Sequence, residues 1–208
     1  MRIGILTEFP SPVVLSGPAI QTQLLKRGLE KRGHQTVLMG PQSSSSPQAD
    51  KGPHHHFPSI PWPRHPKVRV ALPGPTFAHL WNAPTLDVIH AQTNTFMSDY
   101  ANWIRRMWRV PVLNTHTIHM PTHSHFMLSD ALYASSRIRK RCERAAREAE
   151  HRFAQLYNEG DCLIVQNRHY VDYWRERGVS VPIEVVGRPI DPERFDVPAE
   201  VDPYPSHF

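Results

Sequence analysis

A strand–helix–strand pattern between Leu86 and Phe126 leaves few folds open to this chain. The run from Leu86 to His90 is short and apolar. Five large side chains then follow at helical spacing, as on one face of a helix: Phe96, Tyr100, Trp103, Ile104 and Met107. Val110 to Thr115 is apolar and β-branched, which indicates a second strand. A helix that joins two such strands makes a right-handed unit with parallel strands, so the pattern predicts an α/β protein.

The same alternation of strand and helix runs through the rest of the chain. Further strands are predicted at Arg2–Thr7, Gln35–Met39, Val68–Ala71, Cys162–Val165 and Ile183–Val186. Further helices are predicted at about Ala19–Arg32, at Thr76–Ala83, from Leu128 to a stop at Gly160, and from Asn167 to Arg177. The polar segment from Gln42 to His56 is predicted to be a surface loop. The predicted fold is therefore a Rossmann-like parallel sheet flanked by helices on both faces.

The size and composition of the chain set limits on its class. With 208 residues it is long enough for one domain with a real core. No run of eighteen apolar residues occurs, so no membrane span is predicted, and the N-terminus resembles a strand rather than a signal peptide. The two cysteines lie far apart and form no metal or redox motif, which favours reduced thiols in the cytoplasm. The net charge of +5 favours an anionic partner: a nucleotide, a phospholipid surface or a nucleic acid.

Two histidines are candidate site residues because of their place in the predicted sheet. Ligands of parallel sheets bind at the carboxyl ends of the strands, and His90 and His116 each end a predicted strand. A histidine there can hydrogen-bond a sugar hydroxyl or a phosphate, although an isolated histidine is more often structural. His119 and His123 are four residues apart, but no cysteine or acidic residue stands near them, so no metal site is predicted. The dinucleotide motif G-x-G-x-x-G is absent before the first helix, where Gly17 stands alone.

A strongly basic segment lies in the long predicted helix. Between Ser136 and Arg152 there are seven basic residues and three glutamates. Its candidate anion-binding or membrane-binding face consists of Arg137, Arg139, Lys140, Arg141 and Arg144. Such a face is either simply solvated or lies against anionic lipid, where each basic residue contributes about 1 kcal/mol. No RNA- or DNA-binding motif accompanies it, so nucleic acid is not a predicted partner.

Five segments of the chain carry a family resemblance: IGILTEFPSPVVLSGPAIQTQLLKRGLEKRGHQTVLMGP, FPSIPWPRHPKVRVALPG, LDVIHAQTNTFMSDYANWIRRMWRVPVLNTHT, CLIVQNRHYVDYWRERGV and PIEVVGRPIDPERF. Taken in order, they resemble the N-terminal domain of a family 4 retaining glycosyltransferase with the GT-B fold. The third resembles the family pattern D-I-I-H-x-Q-T followed by I-P-V-x-x-T-Y-H-T. The second resembles a segment of the diacylglycerol glucosyltransferase branch.

The resemblance implies transfer of a sugar from a nucleotide-sugar donor, UDP- or GDP-linked, to an acceptor, with no other cofactor and no metal. In the family the N-terminal domain mainly holds the acceptor. By resemblance, His116 is the catalytic candidate near the transferred sugar, and Ser16, Gly17, His90 and Thr117 are candidates for binding substrate or donor phosphate. Residues 1–190 would form the acceptor-side domain and 191–208 the start of a linker. The family's donor-binding domain would then follow Phe208, so the isolated chain is expected to be inactive.

The acceptor remains open at this stage. A membrane lipid is favoured by the basic helix and by the branch that the chain resembles, which implies a cytoplasmic protein held peripherally at the inner membrane face. However, after His116 the sequence reads TIHMPTHSHF and lacks the Tyr-Glu pair common in the glycolipid branch. The alternatives are a glycosyltransferase with a soluble acceptor and a stand-alone, non-catalytic Rossmann-like binding module.

Overall fold

The computed structural model describes residues 1–10, 17–41, 54–62, 65–72, 85–92, 96–117, 119, 134–188 and 190. Within these ranges the chain forms nine strands and four helices. The strands are β1 (Arg2–Thr7), β2 (Gln35–Pro41), β3 (His54–Phe57), β4 (Ser59–Trp62), β5 (His65–Ala71), β6 (Val88–Gln92), β7 (Val112–Thr115), β8 (Cys162–Val165) and β9 (Ile183–Val185). The helices are α1 (Gly17–Lys31), α2 (Phe96–Trp108), α3 (Ser136–Asn158) and α4 (His169–Glu176).

Seven of these strands form one sheet in the order β3-β2-β1-β6-β7-β8-β9. Every neighbouring pair in it runs parallel. Ile5 of β1 lies in register between Leu38 and His90, and Leu113 lies between His90 and Cys162. The prediction of a Rossmann-like parallel sheet is therefore confirmed.

Helices cover both faces of the sheet, which is why its central strands are largely apolar. On one face, Leu25 and Leu29 of α1 pack against Ile3, Ile5 and Leu38. The opposite face carries α2, α3 and α4. There α2 packs on β1 and β6, while α3 and α4 pack on β8 through Phe153, Tyr157, Trp174, Leu163 and Val165. Each fully buried Ile, Leu or Val side chain stabilises the fold by about 1.5–3 kcal/mol.

The segment between β2 and β6 differs from the prediction. His54 to His56, predicted to close a surface loop, belong to β3, which pairs with β2 at the edge of the main sheet. An edge strand leaves one side in solvent and tolerates polar residues, so hydrophobicity alone does not reveal it. The predicted strand at Val68–Ala71 exists, but it starts at His65 and pairs with β4 in a separate antiparallel sheet. The predicted helix at Thr76–Ala83 and the rest of the predicted loop lie outside the described residues.

Residues three or four apart in the long helix α3, among them Ala145, Phe153 and Leu156, predict one inner face. Phe153 and Leu156 are buried as this spacing predicts, but Ala145 is exposed, while Ala146 and Glu150 are buried. The face turns because Glu150 has polar partners that compensate its burial. Its predicted beginning near Leu128 lies outside the described residues.

The ends of the shorter helices follow the glycines in the sequence. Gly33 and Gly178 have φ angles of 81° and 86° and end α1 and α4, as predicted. Helix α4 starts at His169 rather than directly after Asn167. The side chain of Asn167 still accepts a hydrogen bond of 3.3 Å from the Tyr170 N–H.

Candidate functional site

The sheet has a topological switch point between β1 and β6. From β1 the chain continues to β2 and β3 on one side, and from β6 it continues to β7, β8 and β9 on the other. The connections diverge above the carboxyl ends of these two strands and leave a crevice, which is where open α/β sheets bind ligands. Thr7 and Gln92 are the last residues of β1 and β6 and lie in register. They mark the floor of the candidate site.

A buried network of polar side chains ties α1 to the ends of β1 and β6 beside this crevice. The Thr22 hydroxyl donates a hydrogen bond of 2.7 Å to the Gln92 amide oxygen. The Thr22 and Thr7 hydroxyls are 3.4 Å apart, and the Phe9 N–H donates to the Thr7 hydroxyl at 3.0 Å. Thr7, Thr22 and Gln92 are all buried. Sequence reasoning missed them, although polar residues at strand ends and inside a helix that faces the sheet are a usable signal.

Gly17, one of the predicted site residues, is the first residue of α1. A methyl group added to its Cα would meet no atom within 4 Å among the described residues. Open space beside a helix N-terminus lets a phosphate approach the backbone N–H groups, which the helix dipole also favours. Its predicted companion Ser16 lies outside the described residues.

His90 is not at the end of its strand, as the sequence analysis expected. Strand β6 begins two residues later than predicted and runs on to Gln92, so His90 is its third residue. Its Nε2 lies 2.5 Å from the hydroxyl of Thr115, the last residue of β7. Burial lowers the pKa of His90 to about 4, so the ring is neutral at pH 7. His90 is therefore a neutral hydrogen-bonding link between β6 and β7, two residues before Gln92 at the floor of the crevice.

His116 directly follows β7, as predicted, but its ring turns into an aromatic cluster. Only 4% of the residue is exposed. Its ring centroid is 4.8 Å from that of Tyr170 and 4.9 Å from that of Trp174, and its Nδ1 is 3.3 Å from the Tyr157 hydroxyl. Burial, with a smaller contribution from nearby His119, lowers the pKa of His116 to about 3. The structure thus places His90 and His116 among different neighbours, and Thr117, half-buried, continues from His116 at the same edge.

His119 joins a second polar group behind this cluster. Its Nε2 is 3.0 Å from the Tyr173 hydroxyl and 3.5 Å from buried Glu150. Tyr173 donates a hydrogen bond to Glu150, and Arg177 Nε reaches the other carboxylate oxygen at 3.3 Å. Within the part of the chain that the structure describes, no three His, Cys, Asp or Glu side chains cluster in a way that could hold a metal. His123, the second histidine of the spacing considered for zinc, lies outside it.

Hydrogen bonds between surface side chains link α1 to the segment that follows β8. Gln166, just after β8, donates to the Gln21 side chain of α1 at 3.3 Å. Arg188 donates from Nε to the Gln166 amide oxygen at 2.6 Å. These contacts join residues up to 145 positions apart, so nothing in the local sequence indicates them. They place a guanidinium group beside the first turns of α1.

The predicted basic face lies on residues 136–145 of α3, here called the basic half, in which Ile138, Cys142 and Glu143 are half-buried and the other residues are exposed. No residue from 136 to 145 is buried, whereas burial begins at Ala146. Ten helical residues span about 15 Å. The C-terminal end of α3 lies at the amino edge of the sheet, where the Asp161 N–H bonds to the Val112 carbonyl at the start of β7. The basic half of the helix therefore lies toward the carboxyl edge, the edge that carries the crevice.

All five residues of this face are exposed: Arg137, Arg139, Lys140, Arg141 and Arg144. Among the described ion pairs, this half of α3 has only the contact of Arg139 with Glu143 at 4.0 Å, which is weak at a surface. The charges thus point into solvent beside the candidate site. None of the helices described is long and apolar enough to cross a bilayer.

Sequence comparison matches the chain to a known family and to a bacterial synthase. Residues 15–194 match the family described as Glycosyltransferase Family 4. The alpha-monoglucosyldiacylglycerol synthase of Streptococcus pneumoniae (strain ATCC BAA-255 / R6) is 28% identical over 140 residues, which are 67% of this chain and 32% of that protein. The aligned part thus spans about a third of the length of this relative.

Structural comparison agrees on the fold. Anabaena Alr3699/HepE, solved in complex with UDP-glucose, superposes with a TM-score of 0.59 at 14% identity, over 92% of this chain and 44% of that one. The same protein solved with UDP and glucose gives a TM-score of 0.59. The Rossmann-like sheet thus matches one half of a GT-B glycosyltransferase. With the family match over most of its length, this chain belongs to glycosyltransferase family 4.

Proposed function

We propose that this chain is the acceptor-side domain of an enzyme that transfers a sugar, with retention, from a UDP- or GDP-sugar to a membrane lipid. Family membership supports the reaction class. The relative from Streptococcus pneumoniae is a synthase of a glucosylated diacylglycerol, which supports a lipid acceptor. The Anabaena protein binds UDP-glucose on the same fold, which supports a nucleotide-sugar donor.

The main support for a lipid acceptor is the basic half of α3. It holds five basic residues and one acidic residue in ten positions, none of them buried. Placed within a Debye length of an anionic surface, each basic side chain contributes about 1 kcal/mol to binding. Because this segment lies toward the carboxyl edge, membrane contact there would bring the crevice close to lipid head groups. A soluble acceptor does not require a basic segment at that place.

The crevice would hold the reacting groups. Gly17, with Ser16 before it, would offer backbone N–H groups to the donor phosphates. Thr117 would flank the sugar just beyond the end of β7, and His90, below the floor of the crevice, would support this side through its contact with Thr115. His116, enclosed by aromatic rings, would orient the neighbouring backbone and Thr117 toward the sugar. Stabilisation of the negative charge on the departing nucleotide would then come mostly from backbone donors and basic groups.

A donor-binding domain would complete the enzyme. Residues 1–190 would form the acceptor-side unit and 191–208 the start of the connection. Since the match spans about a third of the related synthase, we expect the 208-residue chain alone to transfer no sugar. The whole protein would act in the cytoplasm, attached peripherally to the inner face of the membrane.

Sugar transfer by a protein that carries this chain together with a donor-side domain tests the proposal. Labelled UDP-glucose or GDP-mannose is offered with diacylglycerol in anionic vesicles, or with soluble sugars. We expect label in the lipid fraction; label only in soluble products would reject the lipid acceptor. His116→Ala is expected to lower turnover strongly, and His116→Phe, which keeps the aromatic packing, separates a chemical role from a packing role. Unchanged turnover in His116→Ala would remove this residue from the site.

A further inference from the structure

The C-terminal end of α2 exposes an apolar pair that the proposed function does not use. Met107 is 57% exposed and Trp108 is 39% exposed. Trp108 is held in place by Trp103, whose ring is 5.7 Å away and nearly perpendicular, and Trp103 stacks on buried Tyr100 at 6.0 Å. A row of aromatic rings therefore connects the core to a large side chain left in water. Two adjacent exposed side chains of this size need a reason.

Arg109 follows this pair in a conformation that a glycine would adopt more easily. Its φ is 55°, and its N–H caps the helix by donating to the Arg105 carbonyl at 2.9 Å. Glycine is the usual residue at this position, because a side chain there costs free energy. Such strain often marks a residue that is kept for another purpose. The backbone conformation thus suggests that the guanidinium of Arg109 has a function.

The charge of Arg109 is available for a ligand. Arg105 is neutralised by two hydrogen bonds to Asp161, at 2.7 and 2.6 Å, and Arg106 is paired with Glu159. Among the described residues, no carboxylate lies within 4 Å of Arg109. Beside it is a cavity of about 190 Å³, lined by Arg105, Arg109, Val110, Pro111 and Asp161. Trp108 and Met107 thus lie next to an arginine that has no carboxylate partner among the described residues and to a small cavity, which combines apolar contact with anion binding.

Met107, Trp108 and Arg109 lie on the same side of the molecule as the basic half of α3. Helices α2 and α3 pack on one face of the sheet. They are tied to each other by the pair of Arg152 with Asp99, at 2.8 Å, and by the pair of Arg106 with Glu159. The patch at the C-terminal end of α2 and the basic residues of α3 therefore belong to two neighbouring helices on one face of the sheet.

We propose that Met107, Trp108 and Arg109, here called the Trp108 patch, dock into the head-group region of an anionic phospholipid bilayer, with Arg109 binding a lipid phosphate. Tryptophan prefers this region, since its ring is apolar and its N–H polar, and arginine binds phosphate through paired N–H groups. A stable protein partner would need about 800 Å² of surface, much more than these two apolar side chains provide. The inference rests on the proposed function only for the presence of a membrane.

The depth of Trp108 in the bilayer can be measured directly. The 208-residue chain is mixed with phosphatidylglycerol vesicles that carry bromine at shallow acyl positions, and quenching of tryptophan fluorescence is recorded. Trp108→Phe keeps an apolar ring, so binding should persist while much of the quenching disappears. Trp108→Ala should weaken binding by on the order of tenfold. Equal quenching in Trp108→Phe and the unmodified chain, or equal binding of Trp108→Ala, would overturn the proposal.

Matched variants separate the patch from other surfaces. Arg109→Gln is expected to weaken binding to anionic vesicles by about fivefold and binding to phosphatidylcholine vesicles not at all. Two control variants should leave binding to both kinds of vesicle unchanged: Arg27→Gln, at an exposed position of α1 on the opposite face, and Ile60→Ala, at an exposed apolar position of β4. Circular dichroism of each variant checks that the fold is intact. If neutralising the α3 face leaves binding unchanged while Trp108→Ala lowers it, the patch stands and the role proposed for α3 fails; the reverse result rejects the patch alone.

Discussion

Removing the carboxylate of Glu150 should destabilise the fold far more than removing any other glutamate of α3. Glu150 is 4% exposed although it is an acid. It accepts a hydrogen bond from the Tyr173 hydroxyl and another from Arg177 Nε at 3.3 Å, and it lies 3.5 Å from His119. Arg177 is also held above the Tyr173 ring at 3.4 Å. One buried side chain thus joins α3, α4 and the segment that follows His116.

The size of the effect follows from these contacts. A hydrogen bond to a charged group contributes about 1.5–3 kcal/mol, and Glu150 accepts two. Breaking a fully buried ion pair costs about 3–5 kcal/mol, but the Arg177 side chain is 29% exposed and remains partly hydrated. For Glu150→Ala we therefore expect a loss of about 3 kcal/mol in the free energy of unfolding. In a chain of this size that corresponds to a fall in Tm of roughly 6–12 °C.

Urea unfolding of the chain and its variants measures this loss. Glu143→Ala is the matched control, because Glu143 lies on the same helix and its one described ion pair, with Arg139, is weak; its effect should stay below about 0.5 kcal/mol. Combining Glu150→Ala with Arg177→Ala should cost clearly less than the sum of the two single changes, since both break the same contacts. A loss below about 1 kcal/mol for Glu150→Ala, or additive single changes, would refute this reasoning.

Three further changes test separate parts of the structure. Burial lowers the pKa of His90 to about 4 and that of His116 to about 3, so below pH 6.5 the unfolded chain binds protons that the folded chain does not. The free energy of unfolding should therefore fall as the pH falls from about 6.5 to about 4, by about 1.4 kcal/mol per pH unit for each histidine. If the dependence of this free energy on pH were the same in His116→Asn, the prediction would be contradicted. Arg109→Gly should raise the free energy of unfolding by about 0.5–1 kcal/mol because it relieves the left-handed conformation, and a decrease would speak against strain there. Gly40→Ala would place a methyl carbon 2.5 Å from a backbone oxygen and should lower the free energy of unfolding by about 2 kcal/mol or more. In Gly28→Ala the nearest atom to the new methyl carbon is 3.6 Å away, so this change in α1 should raise the free energy of unfolding by about 0.5 kcal/mol. Similar thermal shifts for both variants would argue against the packing at β2.

Local patterns in the sequence were sufficient for the central elements of the fold. Strands β1 and β8 have the predicted bounds, because each is a short apolar run bordered by polar residues or glycine. Gly33 and Gly178 end their helices for a local conformational reason. The edge strand β3 is polar, and β4 contains a proline, so neither has the alternation by which a strand is recognised.

The candidate site could be predicted only in outline. The carboxyl edge and Gly17 followed from the order of elements, but a two-residue shift of β6 moved Gln92, rather than His90, to the end of the strand. The burial of Glu150 depends on Tyr173 and Arg177, more than twenty residues away, and so contradicts the local pattern of α3. Contacts of this range are set by packing of the whole domain, which no window of the sequence contains.

Co-sedimentation of the 208-residue chain with vesicles tests whether the basic half of α3 meets a membrane. The chain is compared with a variant in which five residues are replaced by glutamine: Arg137, Arg139, Lys140, Arg141 and Arg144. A control variant carries the same change at exposed α1 positions Arg27, Lys31 and Arg32. We expect binding to phosphatidylglycerol vesicles that weakens as salt rises, a loss on the order of 100-fold or more in the α3 variant, and little change in the α1 variant. Equal binding to anionic and neutral vesicles, or an α3 variant that binds as well as the unmodified chain, would contradict the proposed lipid acceptor.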